Sequence, residues 1–237
     1  MFAFDARMIN NALTADKWAL MYWYDKTQGV HIEYPNYSVK YYEQEDQWKV
    51  ILTSNTALEY SISRDYALNP QQYDYKLDTS KTGNVRKAVA NANAIVDKYK
   101  DNSRYSDVTK LNSYSHEITD LSTYNDAAAA PGYPYGDPSQ LVWVFDGDPD
   151  TKVICEGYAK AFQYLCDRTS FASNLIDCIT VYGLMNDESG RHAWNVVKMD
   201  DGENYLVDVT NSGDEMIGRN DKLFLVGAPG NIRDYYR

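Results

Sequence analysis

The chain has 237 residues, with 34 acidic against 23 basic side chains and a formal net charge of −11. That balance disfavours phosphate backbones and anionic membrane surfaces, and no local run of basic residues makes an exception. At 44% hydrophobic and 24% charged residues, the chain reads as a globular protein long enough to bury its own core. No apolar stretch reaches the roughly 18 residues a membrane span needs. The opening MFAFDARMINN lacks the apolar centre and small-residue cleavage site of a signal peptide.

In chain order, residues 7–24 carry Met8, Leu13, Trp18, Met21 and Tyr22 at spacings that predict one helical face, interrupted near Thr14. Residues 30–44 and 47–64 are rich in β-branched and aromatic side chains and predict two or three strands. Residues 66–83, with Asn69-Pro70 and Gly83, read as a connection. The clearest helix covers 84–100, where Val85, Ala88, Val89, Ala92, Ile95, Val96 and Tyr99 form an apolar stripe. A second helix is expected over 106–121, with Ser106 as its N-cap. Residues 124–140 read as a loop, and Asp146-Gly147-Asp148-Pro149-Asp150 as a tight polar turn. A third helix is expected over 155–168, then strands over 176–182, 192–199 and 204–210, the last two flanking a hairpin turn at Asp200-Asp201-Gly202-Glu203. Helices followed by antiparallel strands predict an α+β fold. The chain divides into an N-terminal helix and strand-rich unit, 1–83, and a core, 84–237.

Three cysteines, Cys155, Cys166 and Cys178, are odd in number, and their spacing suits neither a disulfide framework nor a zinc site. Cys166 and Cys178 fit small buried apolar positions. Cys155 differs because it opens a helix, where the dipole favours a thiolate and first-turn N–H groups can hold an oxyanion. A thiolate nucleophile needs a base, and the base needs an orienting group. His192 stands at the start of a strand, and Asp208 sixteen residues later on the next one. A three-residue turn centred on 201 or 202 pairs even positions with even, which puts His192 and Asp208 on one face; a two-residue turn separates them unless a bulge intervenes.

The segments VICEGYAKAFQYL, VYG, HAWNVV and YLVDVT together resemble the transglutaminase-like superfamily. The resemblance covers roughly 85–227, and 107–125 resembles the helix before the family's cysteine. It implies a papain-like core in which the nucleophile Cys155, at a helix N-terminus, packs on an antiparallel sheet carrying His192 as base and Asp208 as orienting acid. It implies acyl transfer or hydrolysis at amide bonds of a protein or peptide substrate, with no metal and no organic cofactor. Bacterial members are often secreted or surface-attached, so an extracellular or cell-surface setting is expected. The family also contains peptidases, deamidases and non-catalytic binding modules that keep the fold. Two departures stand out: Asn211-Ser212-Gly213-Asp214 follows Asp208-Val209-Thr210 where the family often has Trp and acidic residues, and the 146–150 loop is long. Both are expected at the cleft rim, where they bear on the substrate more than on the triad.

The remaining candidates read blandly. His31 and His116 are expected to be exposed or structurally bonded, Trp194 in packing behind the hairpin, and Asn195 in a structural role. The 146–150 acids lack the glycine and glutamate of a calcium loop. Ser139 and Gln140 are candidates for a second oxyanion donor. The 22 tyrosines fit a stiff, strand-rich surface or a contact face for carbohydrate or peptide.

Overall fold

In the computed structural model, the described residues are 8–10, 12–13, 17–25, 28–55, 57–71, 76–129, 143–185, 190–212 and 222–227. They form an α+β fold. Among them no helix is long and apolar enough to cross a membrane.

Near the N-terminus, residues 8–10 and 12–13 are helical, Lys17 N donates to the Leu13 carbonyl at 2.9 Å, and Trp18–Leu20 form one 3-10 turn, so the expected helical face does not run on as α-helix to residue 24. Four strands follow, β1 (Val30–Glu33), β2 (Tyr37–Tyr42), β3 (Gln47–Leu52) and β4 (Ala57–Tyr60). β1 pairs with β4 and β2 with β3, both antiparallel, so the four make one long two-stranded ribbon. Glu33 lies opposite Ala57 and Tyr37 opposite Leu52, so one extra residue sits on the returning strand and the register slips there. One face of β2 and β3 is wholly apolar: Tyr37, Val39 and Tyr41 stand opposite Leu52, Val50 and Trp48, and all six are exposed.

Among the described residues, three long helices and a four-stranded sheet supply most of the core. Helix α1 (Gly83–Lys98) and helix α2 (Asp107–Leu121) follow the predicted stripes, and the Ser106 hydroxyl caps α2 by accepting from the Thr109 N–H at 3.2 Å. Strand β5 (Thr123–Tyr124) pairs in parallel with β6 (Lys152–Val153), which leads into helix α3 (Cys155–Asp167). The sheet has the order β10-β9-β8-β7, from β7 (Asp177–Leu184), β8 (Arg191–Lys198), β9 (Asn204–Val207) and β10 (Val226–Gly227). Helix α3 lies between this sheet and the other two helices. Its Phe162 and Leu165 meet Ala88 and Ala92 of α1, Leu111, Tyr114 and Ile118 of α2, and Cys178, Val197 and Val207 of the sheet in one apolar cluster. Ala19 and Tyr22 pack against that cluster from the N-terminal segment.

The β8–β9 turn decides which residues share a face. Lys198 pairs with Asn204 and Asn195 with Val207, so the turn is the three-residue form centred on Asp201. Gly202 closes it at φ 84°, the left-handed geometry glycine adopts without strain. A Cβ there meets open space, so a substitution is penalised through the backbone alone. Gly202→Ala is therefore expected to lower stability by about 1 kcal/mol in urea titration. An unchanged midpoint would show that the turn adopts another form in solution.

Candidate active site

Cys155 is the first residue of α3. The preceding Ile154 stays extended, at φ −95° and ψ 179°, while its carbonyl accepts from Gly157 N at 2.8 Å. Asn125 N donates to the Val153 carbonyl at 3.0 Å, fixing the strand that delivers the cysteine. The sulfur thus sits at the positive end of a helix whose first-turn N–H groups have no carbonyl four residues back. Ala159 of α3, Ala193 of β8 and the half-buried Tyr124 pack against it. Cys155 is only 1% exposed.

The opposing sheet is pinned to α3 by polar groups. Asn195 Nδ2 donates to the Ala159 carbonyl at 2.9 Å, which gives this residue the structural role expected of it. Thr180 donates through its backbone N–H and its hydroxyl to Gln163 Oε1, at 3.0 and 2.8 Å. These contacts hold β7 and β8 against the helix and bring His192 to the cysteine.

His192 Nε2 lies 2.8 Å from Asp208 Oδ2, and both side chains are buried. Cys155 packs against Ala193, the residue next to His192 on β8. Two influences compete at the ring. Burial disfavours the imidazolium, whereas the Asp208 carboxylate, and after it Cys155, favour it and prevail, lifting the pKa from 6.5 to about 10. The Trp194 ring stacks beside the imidazole, with centroids 6.1 Å apart and planes 19° apart. It also packs against Met185, Leu206 and Leu223. Packing is the role the sequence suggests for Trp194; its place against the imidazole is a finding of the structure.

Two expectations need correction. Asp208 does not lie within a strand running to 210, because β9 ends at Val207 and Thr210–Ser212 form a 3-10 turn. Local hydrogen bonds divert the chain there: Asn211 N donates to Asp208 Oδ1 at 3.2 Å, and Ser212 Oγ to the Asp208 carbonyl at 2.6 Å. Nor does Asn211 sit at a rim. Its Nδ2 donates to Asp208 Oδ2 at 2.7 Å and lies 3.4 Å from His192 Nε2. Sequence reasoning misses this contact, although an acid followed three residues later by a polar residue is the local signal of a capped turn.

A second buried polar group adjoins the cysteine. Lys160 Nζ lies 2.5 Å from Glu156 Oε1, with side chains 1% and 0% exposed. The Tyr182 hydroxyl donates to the same oxygen at 3.1 Å. Cys166 and Cys178 are buried free thiols, as expected, and burial, with Cys166 next, pushes the Cys178 thiol well up. His31 and His116 are exposed. The 146–150 acids serve their own turn, Asp146 Oδ1 accepting from Asp148 N at 2.7 Å and Oδ2 from the Thr151 hydroxyl at 2.8 Å. Ser139, Gln140, Gly213 and Asp214 lie outside the described residues. Among the described residues one set of potential metal ligands converges, His31, Glu33 and Glu59, with ligand atoms within 4.8 Å of one another. It stands on the exposed β1–β4 ribbon, on a different sheet from His192.

No protein-family pattern matches the chain. No curated protein sequence matches it either. Among solved structures, one described as the crystal structure of a TGase aligns with 94% of this chain and 54% of its own, at a TM-score of 0.41 and 13% identity. The chain therefore spans about half the length of that protein.

Proposed function

We propose that this chain is a transglutaminase-like cysteine enzyme with a papain-like core, acting on amide bonds through a thioacyl intermediate. The observation that carries the reading is the buried His192 Nε2–Asp208 Oδ2 pair at 2.8 Å on the sheet against which Cys155, first residue of α3, packs through Ala193. In the proposed reaction the thiol proton resides on His192, and Sγ attacks the carbonyl carbon of a glutamine side chain or peptide bond. First-turn N–H groups of α3 stabilise the oxyanion. His192 returns its proton to the departing nitrogen as the carbon–nitrogen bond breaks. Water or a second amine then attacks the thioester, its proton passes to His192, and the sulfur is released. Asp208 keeps the ring oriented and remains ionised throughout. In this reading 84–237 is the catalytic unit, 1–83 an N-terminal addition, and the setting extracellular or at a cell surface.

Burial of Cys155 favours a second reading, a non-catalytic module that keeps the fold, because an acyl group reaches a 1% exposed sulfur only after a covering group moves. Alkylation separates the two. An activated Cys155 is expected to react with iodoacetamide at about pH 6, ahead of Cys166 and Cys178. Equal, slow labelling of all three favours the module. Incorporation of a fluorescent amine into a glutamine-bearing protein then indicates transfer, and cleaved product alone indicates a peptidase or deamidase that uses water.

The raised pKa of His192 gives the reading a pH signature. A group charged more readily in the folded state contributes stability that is complete below its unfolded pKa, here 6.5, and is lost as pH rises through its folded pKa of about 10. Acylation measured in a single turnover is therefore expected to hold through neutral pH and fall as pH passes about 10, when His192 has no proton for the leaving nitrogen. A decline centred near 6.5, the ordinary value of the ring, would contradict it.

A further inference from the structure

Asp208 Oδ2 accepts two hydrogen bonds, from His192 Nε2 at 2.8 Å and from Asn211 Nδ2 at 2.7 Å. The carboxylate accepts only, so the amide of Asn211 must turn its nitrogen toward it. The same geometry makes the 3.4 Å approach of Asn211 Nδ2 to His192 Nε2 a meeting of two donors at one oxygen rather than a bond between them. The other carboxylate oxygen accepts from the Asn211 backbone N–H at 3.2 Å. One residue therefore grips both oxygens of the carboxylate that holds the imidazole, and all three side chains are buried.

We propose that Asn211 is a positioning residue: its side-chain amide shares Asp208 Oδ2 with His192, and so sets the angle and the strength with which the carboxylate holds the ring. The inference rests on reading Cys155, His192 and Asp208 as a catalytic run. Each donor on an anionic oxygen draws on the same negative charge, so the amide weakens the pull that the imidazole feels. A ring gripped less tightly gives up its proton to a leaving nitrogen more readily. Among the described residues, the titratable groups that act most on the imidazole are Asp208, from just past β9, and Cys155, from α3. Asn211, from the 210–212 turn, is neutral and acts through Asp208.

The test is the titration of His192, followed by NMR of its ring in the full chain. Asn211→Ala removes the side-chain donor and keeps the backbone one. Asn211→Asp keeps the shape and replaces the donor with a second acceptor. The midpoint of His192 is expected to move upward by about one pH unit in Asn211→Ala and further in Asn211→Asp. The alkaline limb of any acylation profile is expected to move with it. An unmoved midpoint in both folded variants reduces Asn211 to scaffolding for the turn and overturns the inference. Should both variants unfold, the unmodified protein decides. A side-chain amide of Asn211 that exchanges slowly and resonates as a bonded donor supports the shared oxygen, and one that exchanges freely refutes it. A shifted midpoint in a protein with no amide turnover upholds the role of Asn211 while the enzyme reading fails. Turnover with an unmoved midpoint upholds the enzyme reading while the role of Asn211 fails.

Discussion

Cys155→Ala is expected to lower kcat/KM for amide turnover by at least about 10,000-fold, the usual loss when a triad member is removed. No other described sulfur can take its place: Cys166 and Cys178 both lie in the main apolar cluster, away from His192. The substitution removes one small buried atom from a site already lined by Ala159 and Ala193, so its effect on folding should be slight beside its effect on rate. Mass spectrometry should find an acyl adduct on wild-type Cys155 under quench and none on the alanine variant. An alanine variant that retains turnover while folded would end the nucleophile assignment, whatever the geometry of His192 and Asp208.

The second large effect concerns stability. Lys160→Met is expected to lower the unfolding free energy by about 3–5 kcal/mol and the melting temperature by about 10 °C. Glu156 and Lys160 stand four residues apart on α3 and are fully enclosed. Removing the ammonium leaves a carboxylate in the interior, where a neutral donor such as the Tyr182 hydroxyl offsets only part of its lost hydration. Removing both charges together, as Glu156→Gln with Lys160→Met, is expected to recover most of the loss, because two neutral groups carry no such penalty. Urea titration of the wild type, Lys160→Met and the double variant measures the coupling. Equal midpoints for all three would mean that the pair is hydrated in solution. The pair also bears on the site. Glu156 follows Cys155 directly, and the Lys160 ammonium balances an anion that would otherwise oppose the negative charge the proposed reaction places on the sulfur.

The positions of the helices and the face shared by His192 and Asp208 are legible in the sequence because each depends on local pattern. A 3.6-residue stripe marks α1, a serine marks the start of α2, and the turn around Asp201 allows the register that brings two even-numbered residues together. What escapes is set by tertiary burial. Glu156, Lys160 and Gln163 read as the polar side of an amphipathic helix, yet α3 is covered on all sides from Cys155 to Cys166. An ion pair at four-residue spacing looks the same in sequence whether it faces solvent or the interior. Asn211 is hidden for a related reason. A strand drawn through Thr210 carries it away from Asp208, whereas the turn that replaces the strand folds it back onto the carboxylate. The long ribbon is only half visible, because alternation locates strands but does not reveal that β1 and β4 enclose β2 and β3.

That ribbon makes the molecule energetically uneven. Residues near its tip are joined chiefly to neighbours across a short turn, and their apolar side chains stand in water rather than against a second layer. A two-stranded unit of this kind is marginal alone. It can fray and re-form in a local equilibrium that leaves α3 and its sheet undisturbed. Changes of length or composition around residues 43–46 would accordingly be absorbed where they occur, leaving the packing around Cys155 insulated from them.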